Sequence, residues 1–379
     1  MFIARSADPK NHVKALYVGI FITVVASLYL FGAKVIAQSP THQSMAARSM
    51  QHTLHRYSAI REKPTSTTSD TVNDTVNTAT ALAMNVNHNT EVARGSSRKA
   101  AALSNTTKVQ PPKPSYHVGQ TRGFSVYGNT GGKERTFKAK LLANGNHTYI
   151  WVDTAQYIPK ATLSNLLMRF DKRIYSRDID YFSNASGRDR AKYVNILITD
   201  LNGLDGYFDA NDLSGQNQMK LIYLDGGLIK NSPNEAYNTL AHEFEHLLFY
   251  LSDGADVEWL DEGMAVYAEY INGSFPATYV DDYLRDPNIN PATGFTTDSN
   301  NSYGAAFLFV AYAANQVTQS HNPIPKFTRS LIENSPKGLN GVNIVLHRYI
   351  KNRYKDSYGE IYKPQQLVKY GTKLQNNAP

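Results

Sequence analysis

His242-Glu243-Phe244-Glu245-His246 sits inside a long stretch whose apolar residues recur with a helical period. Tyr237, Leu240, Ala241, Phe244, Leu247, Leu248 and Leu251 form one continuous face of such a helix. Ser232-Pro233-Asn234-Glu235 supplies its start, with serine as cap, proline at the first helical position and an acid in the first turn. A helix with so broad an apolar face has to be rooted in a core, and the core then fixes where its other side chains point. His242 and His246, four apart, share a face off the apolar stripe, and Glu243 projects beside them. The chain must therefore fold so that two imidazoles and a carboxylate stand together on one rigid element.

That pairing is metal-ligand chemistry. The sequence has no cysteine, so disulfides and thiolate sites are excluded and any metal must be held by His, Asp or Glu. Sixteen residues after His246 comes Glu262, in Trp259-Leu260-Asp261-Glu262-Gly263-Met264-Ala265. Residues 257–271 read as a second helix, with Glu258 and Glu262 on one face and Asp261 beside them. Two imidazoles, a carboxylate, an open water position and a nearby base are what a zinc hydrolase needs. We take His242, His246 and Glu262 as ligands and Glu243 as base. Asp261 or Glu258 is then available to hold the far nitrogen of a ligating histidine, although an acid at a helix start also suits the macrodipole, the simpler role for Glu258. Gly263 costs about 1 kcal/mol in a helix interior relative to Ala, which points to close packing of this helix against the motif helix.

The net charge of +7 is unevenly placed. Residues 1–115 hold 13 of the 39 Lys/Arg but only 5 of the 32 Asp/Glu, so the rest of the chain is nearly neutral. A basic tail on a neutral body argues against a nucleic-acid enzyme. Arg5, Lys10 and Lys14 precede an apolar run, Ala15 to Ala33, that Lys34 closes. At about 1.5 Å per residue the run is close to a bilayer span, and Val35-Ile36-Ala37 offers a cleavage site before Gln38. Residues 1–37 are thus a signal peptide or a transmembrane signal anchor, and either one exports the remainder of the chain, as a secreted or a surface-anchored protein. Residues 38–115, rich in Ser, Thr, Asn and Ala with Tyr57 as their sole aromatic, read as a disordered spacer or a pro-segment.

Residues 116–379 read as the folded domain. Strands are expected at Gly123–Tyr127, Arg135–Leu142, His147–Val152, Tyr193–Ile198 and Met219–Leu224, with a hairpin turn at Asn144-Gly145. Helices are expected at Lys160 to Tyr175, through the motif, and at Ser302–Val317, Phe327–Glu333 and Val342–Tyr354. A β-rich N-terminal half preceding an α-helical C-terminal half, with the motif at the join, makes an α+β fold.

The motif, with Trp259-Leu260-Asp261-Glu262-Gly263-Met264-Ala265 behind it, resembles the gluzincin zinc metallopeptidases, and within them the bacterial hyicolysin-type peptidases. Val118–Phe124, Gly206-Tyr207-Phe208 and Tyr303–Phe309 extend the resemblance. It implies a zincin-like fold and one zinc ion on His242, His246 and Glu262, with Glu243 as general base in endopeptidase chemistry on protein or peptide substrates. It also points to Tyr303 as the donor that stabilises the transition state, with His321 and His347 as alternatives. Strand Met219–Leu224, before the motif helix, is expected as a free edge for an extended substrate. Asp200, Asn202, Asp205, Asp209, Asn211 and Asp212 offer hard oxygens suited to calcium, although their spacing fits no EF-hand. An aminopeptidase of the same metal chemistry and a non-catalytic surface-binding or adhesion protein are the competing readings.

Overall fold

A computed structural model of the chain describes residues 116–127, 134–183, 191–215, 217–253, 257–334, 336–350 and 357–378. The expected leader, 1–37, and spacer, 38–115, lie outside them. Among the described residues no helix is long and apolar enough to cross a membrane.

The fold is α+β. Among the described residues six strands, all before residue 226, form one mixed sheet: β1 Thr121–Tyr127, β2 Glu134–Asn144, β3 Thr148–Asp153, β4 Val194–Thr199, β5 Gly206–Phe208 and β6 Leu221–Asp225, in the order β1-β2-β3-β4-β6-β5. The β2–β3 hairpin turns at Gly145 as expected, its N–H donating to the Thr148 carbonyl at 2.8 Å. β3, β4 and β6 are parallel, whereas β5 runs antiparallel to β6. Alternate residues feed two cores. Ile150, Ile196, Ile222 and Phe208 join the core under the helices; Trp151, Leu197, Tyr223 and Tyr207 join a smaller one on the far face.

The connection from β3 to β4 is helical. α1, Lys160–Arg169, does not stop near Tyr175: a π turn at Phe170–Ile174 carries it into α2, Tyr175–Phe182. The Asp171-Lys172-Arg173 run reads as an end from sequence, yet Phe170 and Ile174 on either side are fully buried and keep the helix against the core. After β6 the described chain is helical: α3 Gly226–Asn231, α4 Pro233–Asp253, α5 Glu258–Ile271, α6 Ala277–Arg285, α7 Pro291–Gly294, α8 Asn300–Gln319, α9 Ile324–Glu333, α10 Gly338–Tyr349, α11 Ser357–Ile361 and α12 Pro364–Asn376.

Two expectations are corrected. The strand at Met219–Leu224 is not a free edge, because β6 is paired on both sides and the edge is β5. β5 is only three residues long and has no alternating pattern to announce it. Gly263 does permit a close helix approach, but to α8 rather than to the motif helix. A Cβ there would lie 3.0 Å from the Ala306 carbonyl group and 3.1 Å from its side chain.

Candidate metal centre

α4 carries His242, Glu243 and His246, and α5 lies against it with Glu262 in its first half. All four side chains are buried, and α5 packs against α4. The imidazoles stand 4.8 Å apart at 76°. Glu262 Oε2 lies 3.3 Å from His242 Nε2 and 3.7 Å from His246 Nε2. It is buried and receives no hydrogen bond. Two ring nitrogens and an unpartnered carboxylate oxygen converging on one point suit a small divalent cation, and these three residues form one metal-capable group.

The other ring nitrogens are already held. His246 Nδ1 lies 2.8 Å from Asp261 Oδ1, as anticipated for Asp261. His242 Nδ1 lies 2.8 Å from Glu269 Oε1. With these carboxylates ionised, each Nδ1 is the donor, so each Nε2 is left as a lone pair for a metal. Sequence reading missed Glu269. Its signal was the seven-residue step from Glu262, two turns along one face of α5, masked by its place near a helix end where acids are usually solvated. Glu258 opens α5.

Without a metal, the ligands hold one another. Burial alone would lower His242, but the close approach of Glu262, the hydrogen bond to Glu269 and the charge of Glu243 carry it well above the ordinary imidazole range. Burial alone would raise Glu262, but the charge of His246 and the close approach of both ring nitrogens hold it well below the ordinary carboxylate range. In the metal-free chain this imidazolium–carboxylate contact stabilises fully between the ordinary carboxylate and imidazole ranges. It is lost as pH falls through the lowered value of Glu262 or rises through the raised value of His242. A metal has to displace the His242 proton, so binding weakens as pH falls, starting above the usual imidazole range. Titration calorimetry with zinc near neutral pH, in two buffers of different ionisation enthalpy, is expected to show at least one proton released per ion. No release would mean that His242 is not a ligand.

Glu243 is buried on the other flank of this face, and its Oε2 accepts a hydrogen bond from the Phe208 N–H at 2.9 Å. Glu245 is turned away from Glu243. It is fully buried with neither oxygen receiving a hydrogen bond. Burial first, then the charge of Asp261, raises its carboxyl well above the ordinary value. Glu245, His246 and Asp261 also form a metal-capable group, but through the His246 nitrogen that Asp261 occupies.

Tyr303 lies fully buried in α8, its ring stacked on Tyr279 of α6 at 5.2 Å and tilted against Phe295 at 5.5 Å. Tyr279 was not foreseen. Burial first, then the charges of Glu269 and Glu262, raises its phenol well above the ordinary value, which keeps it a neutral donor within the field of the centre. His321, in the turn after α8, and His347, in the last turn of α10, are exposed and belong to neither metal-capable group.

Some of the oxygens put forward for calcium are engaged locally. Asp200 and Asp209 accept from the N–H groups of Asn202 and Asn211. Both oxygens of Asp212 are hydrogen-bonded, to Asn217 at 2.6 Å and to the Tyr223 hydroxyl at 2.8 Å, and burial raises its pKa to about 7.

No family model matches the chain. A search of characterised proteins finds the neutral metalloprotease ShpI of Staphylococcus hyicus, 27% identical over 266 residues. The match takes in 62% of this chain and 59% of that protein. The chain is thus similar to a bacterial metalloprotease over a stretch far longer than the motif that first suggested it.

Proposed function

We propose that the chain is an exported, zinc-dependent metalloendopeptidase of zincin-like layout. The observation that carries this reading is the convergence of His242 Nε2, His246 Nε2 and the unpartnered Glu262 Oε2, with Glu243 at its side. The similarity to a neutral metalloprotease supports it.

His242, His246 and Glu262 hold one zinc ion. When bound, zinc acts as a Lewis acid and makes a water acidic enough to attack near neutral pH. Glu243 takes the proton from the attacking water on the oxygen that Phe208 leaves free, and returns it to the leaving amine. Asp261 and Glu269 keep the rings in register. The charge that develops on the scissile carbonyl oxygen falls to a phenol of the Tyr303–Tyr279 pair. The substrate is an extended peptide laid along the free edge of β5. Export rests on the apolar run Ala15 to Ala33 and its basic flank. A mature N-terminus at or after Gln38 means a secreted form, and one upstream of it an anchored form.

Metal analysis combined with a protein-digestion assay tests the reading. One zinc per chain is expected, with hydrolysis lost on chelation and restored by zinc. Cleavage of peptides blocked at the N-terminus is expected too; cleavage only of free N-termini would make the enzyme an aminopeptidase. Protein that folds without zinc and cuts nothing would favour a surface-binding protein.

A further inference from the structure

The Phe208–Glu243 hydrogen bond has a place in the ladder of the sheet. β5 pairs with β6 as Gly206↔Leu224, Tyr207↔Tyr223 and Phe208↔Ile222, and the Asp225 N–H donates to the Asp205 carbonyl at 2.9 Å. Hydrogen-bonded and non-bonded pairs alternate in an antiparallel ladder. The Asp205/Asp225 pair is bonded, so Tyr207 also turns its N–H and C=O toward β6. Gly206 and Phe208 turn theirs to the free edge. One of these outward donors, the Phe208 N–H, meets Glu243 Oε2.

The approach of strand to helix is built for this contact. A Cβ on Gly206 would lie 2.6 Å from Thr239 Cγ2, 2.8 Å from the Tyr223 carbonyl oxygen and 3.7 Å from Glu243 Cγ. Only glycine lets β5 lie this close to α4. Phe208 is buried and packs near Tyr250, which holds the other end of the strand along the same helix.

We propose that the Phe208 backbone amide is a positioning group for Glu243. It fixes one carboxylate oxygen of the base and leaves the other for the proton. In doing so it withdraws a donor that the edge would otherwise offer to substrate, so an extended peptide takes its register from Gly206, whose N–H and C=O both remain on the edge. This deepens the peptidase reading and rests on it.

Replacing Phe208 by its α-hydroxy acid converts the amide to an ester, keeping the ring and removing an N–H that no ladder bond uses, at the cost of a weaker Tyr207 carbonyl acceptor toward β6. Reincorporated phenylalanine is the control. A misplaced reacting group can cost on the order of 100-fold, and we expect kcat to fall about 10- to 100-fold with KM and zinc content unchanged. Phe208→Pro, which removes the N–H and also the ring that packs near Tyr250, is expected to lower kcat at least as far. An unchanged kcat in both overturns the proposal. So does a rise in KM at constant kcat, which would give the N–H to substrate rather than to the base. If the control binds zinc and cuts no peptide, it is the peptidase reading that fails, and the proposal with it.

Discussion

Glu243→Gln is expected to bind one zinc per chain with the affinity of the parent and to lose peptide hydrolysis by about 1,000-fold or more. General-base catalysis is worth on the order of 100- to 10,000-fold, and an amide of the same shape cannot take the proton. The structure says why the fold should survive. Glu243 is not part of the apolar face of α4, and its one hydrogen bond among the described residues is accepted from the Phe208 N–H. A glutamine carbonyl oxygen can accept the same bond. His242 and His246 keep their own partners, Glu269 and Asp261, whatever stands at 243. Zinc retained with hydrolysis lost is the expected pair of results, and parent-rate cleavage would remove Glu243 from the mechanism. The same assay sorts the tyrosines. Phenylalanine at the position that donates lowers kcat with KM unchanged, whereas at the other it leaves turnover intact.

Gly304→Ala is expected to destabilise the fold by about 3 kcal/mol, toward the upper end for an overpacked core. Helix propensity alone predicts the opposite, since Ala is favoured over Gly by about 1 kcal/mol in a helix interior. Packing decides the sign. A Cβ at Gly304 would lie 2.1 Å from the Tyr279 carbonyl oxygen, 2.8 Å from its carbonyl carbon and 2.9 Å from Tyr283 Cβ. Two of these are backbone atoms of α6, so relief requires α6 and α8 to separate. α8 has little freedom to retreat, because Ala306 two residues on is pressed against Gly263 of α5. A lower denaturant midpoint at unchanged slope is the expected readout. A midpoint at or above that of the parent would show that the two helices stand further apart.

How much is legible in the sequence depends on range. The motif helix, its proline start, the pairing of His242 with His246 and the hairpin at Gly145 depend on residues within a few positions of one another, where periodicity and turn chemistry act directly. Asp261, put forward with Glu258 as a holder for one of the histidines, followed from its place beside Glu262; that the histidine is His246 comes from the fold. Glu269 was missed because a carboxylate near a helix end has a simpler use in water. Other features depend on contacts between distant segments. The partner of Gly263 is set by how α8 crosses α5, which no local pattern encodes. The pairing of β6 on both sides depends on a three-residue strand too short to show alternation. Tyr279, among 25 tyrosines, carries no mark of its own.

The positions of these groups along the chain have a consequence for assembly. The metal-facing side chains and their holders come from two consecutive helices, and the widest separation, His242 to Glu269, is 27 positions. Bringing them together asks for little more than closing the short connection between α4 and α5, a small cost in chain entropy. The anchor of the base is separate: it lies 35 positions upstream, on the last strand at the rim of the sheet. Rims open more readily than centres. On the proposed reading, a molecule that frays at β5 would keep its grip on the ion while its base lost alignment, so that capture of the metal would outlast the power to cut.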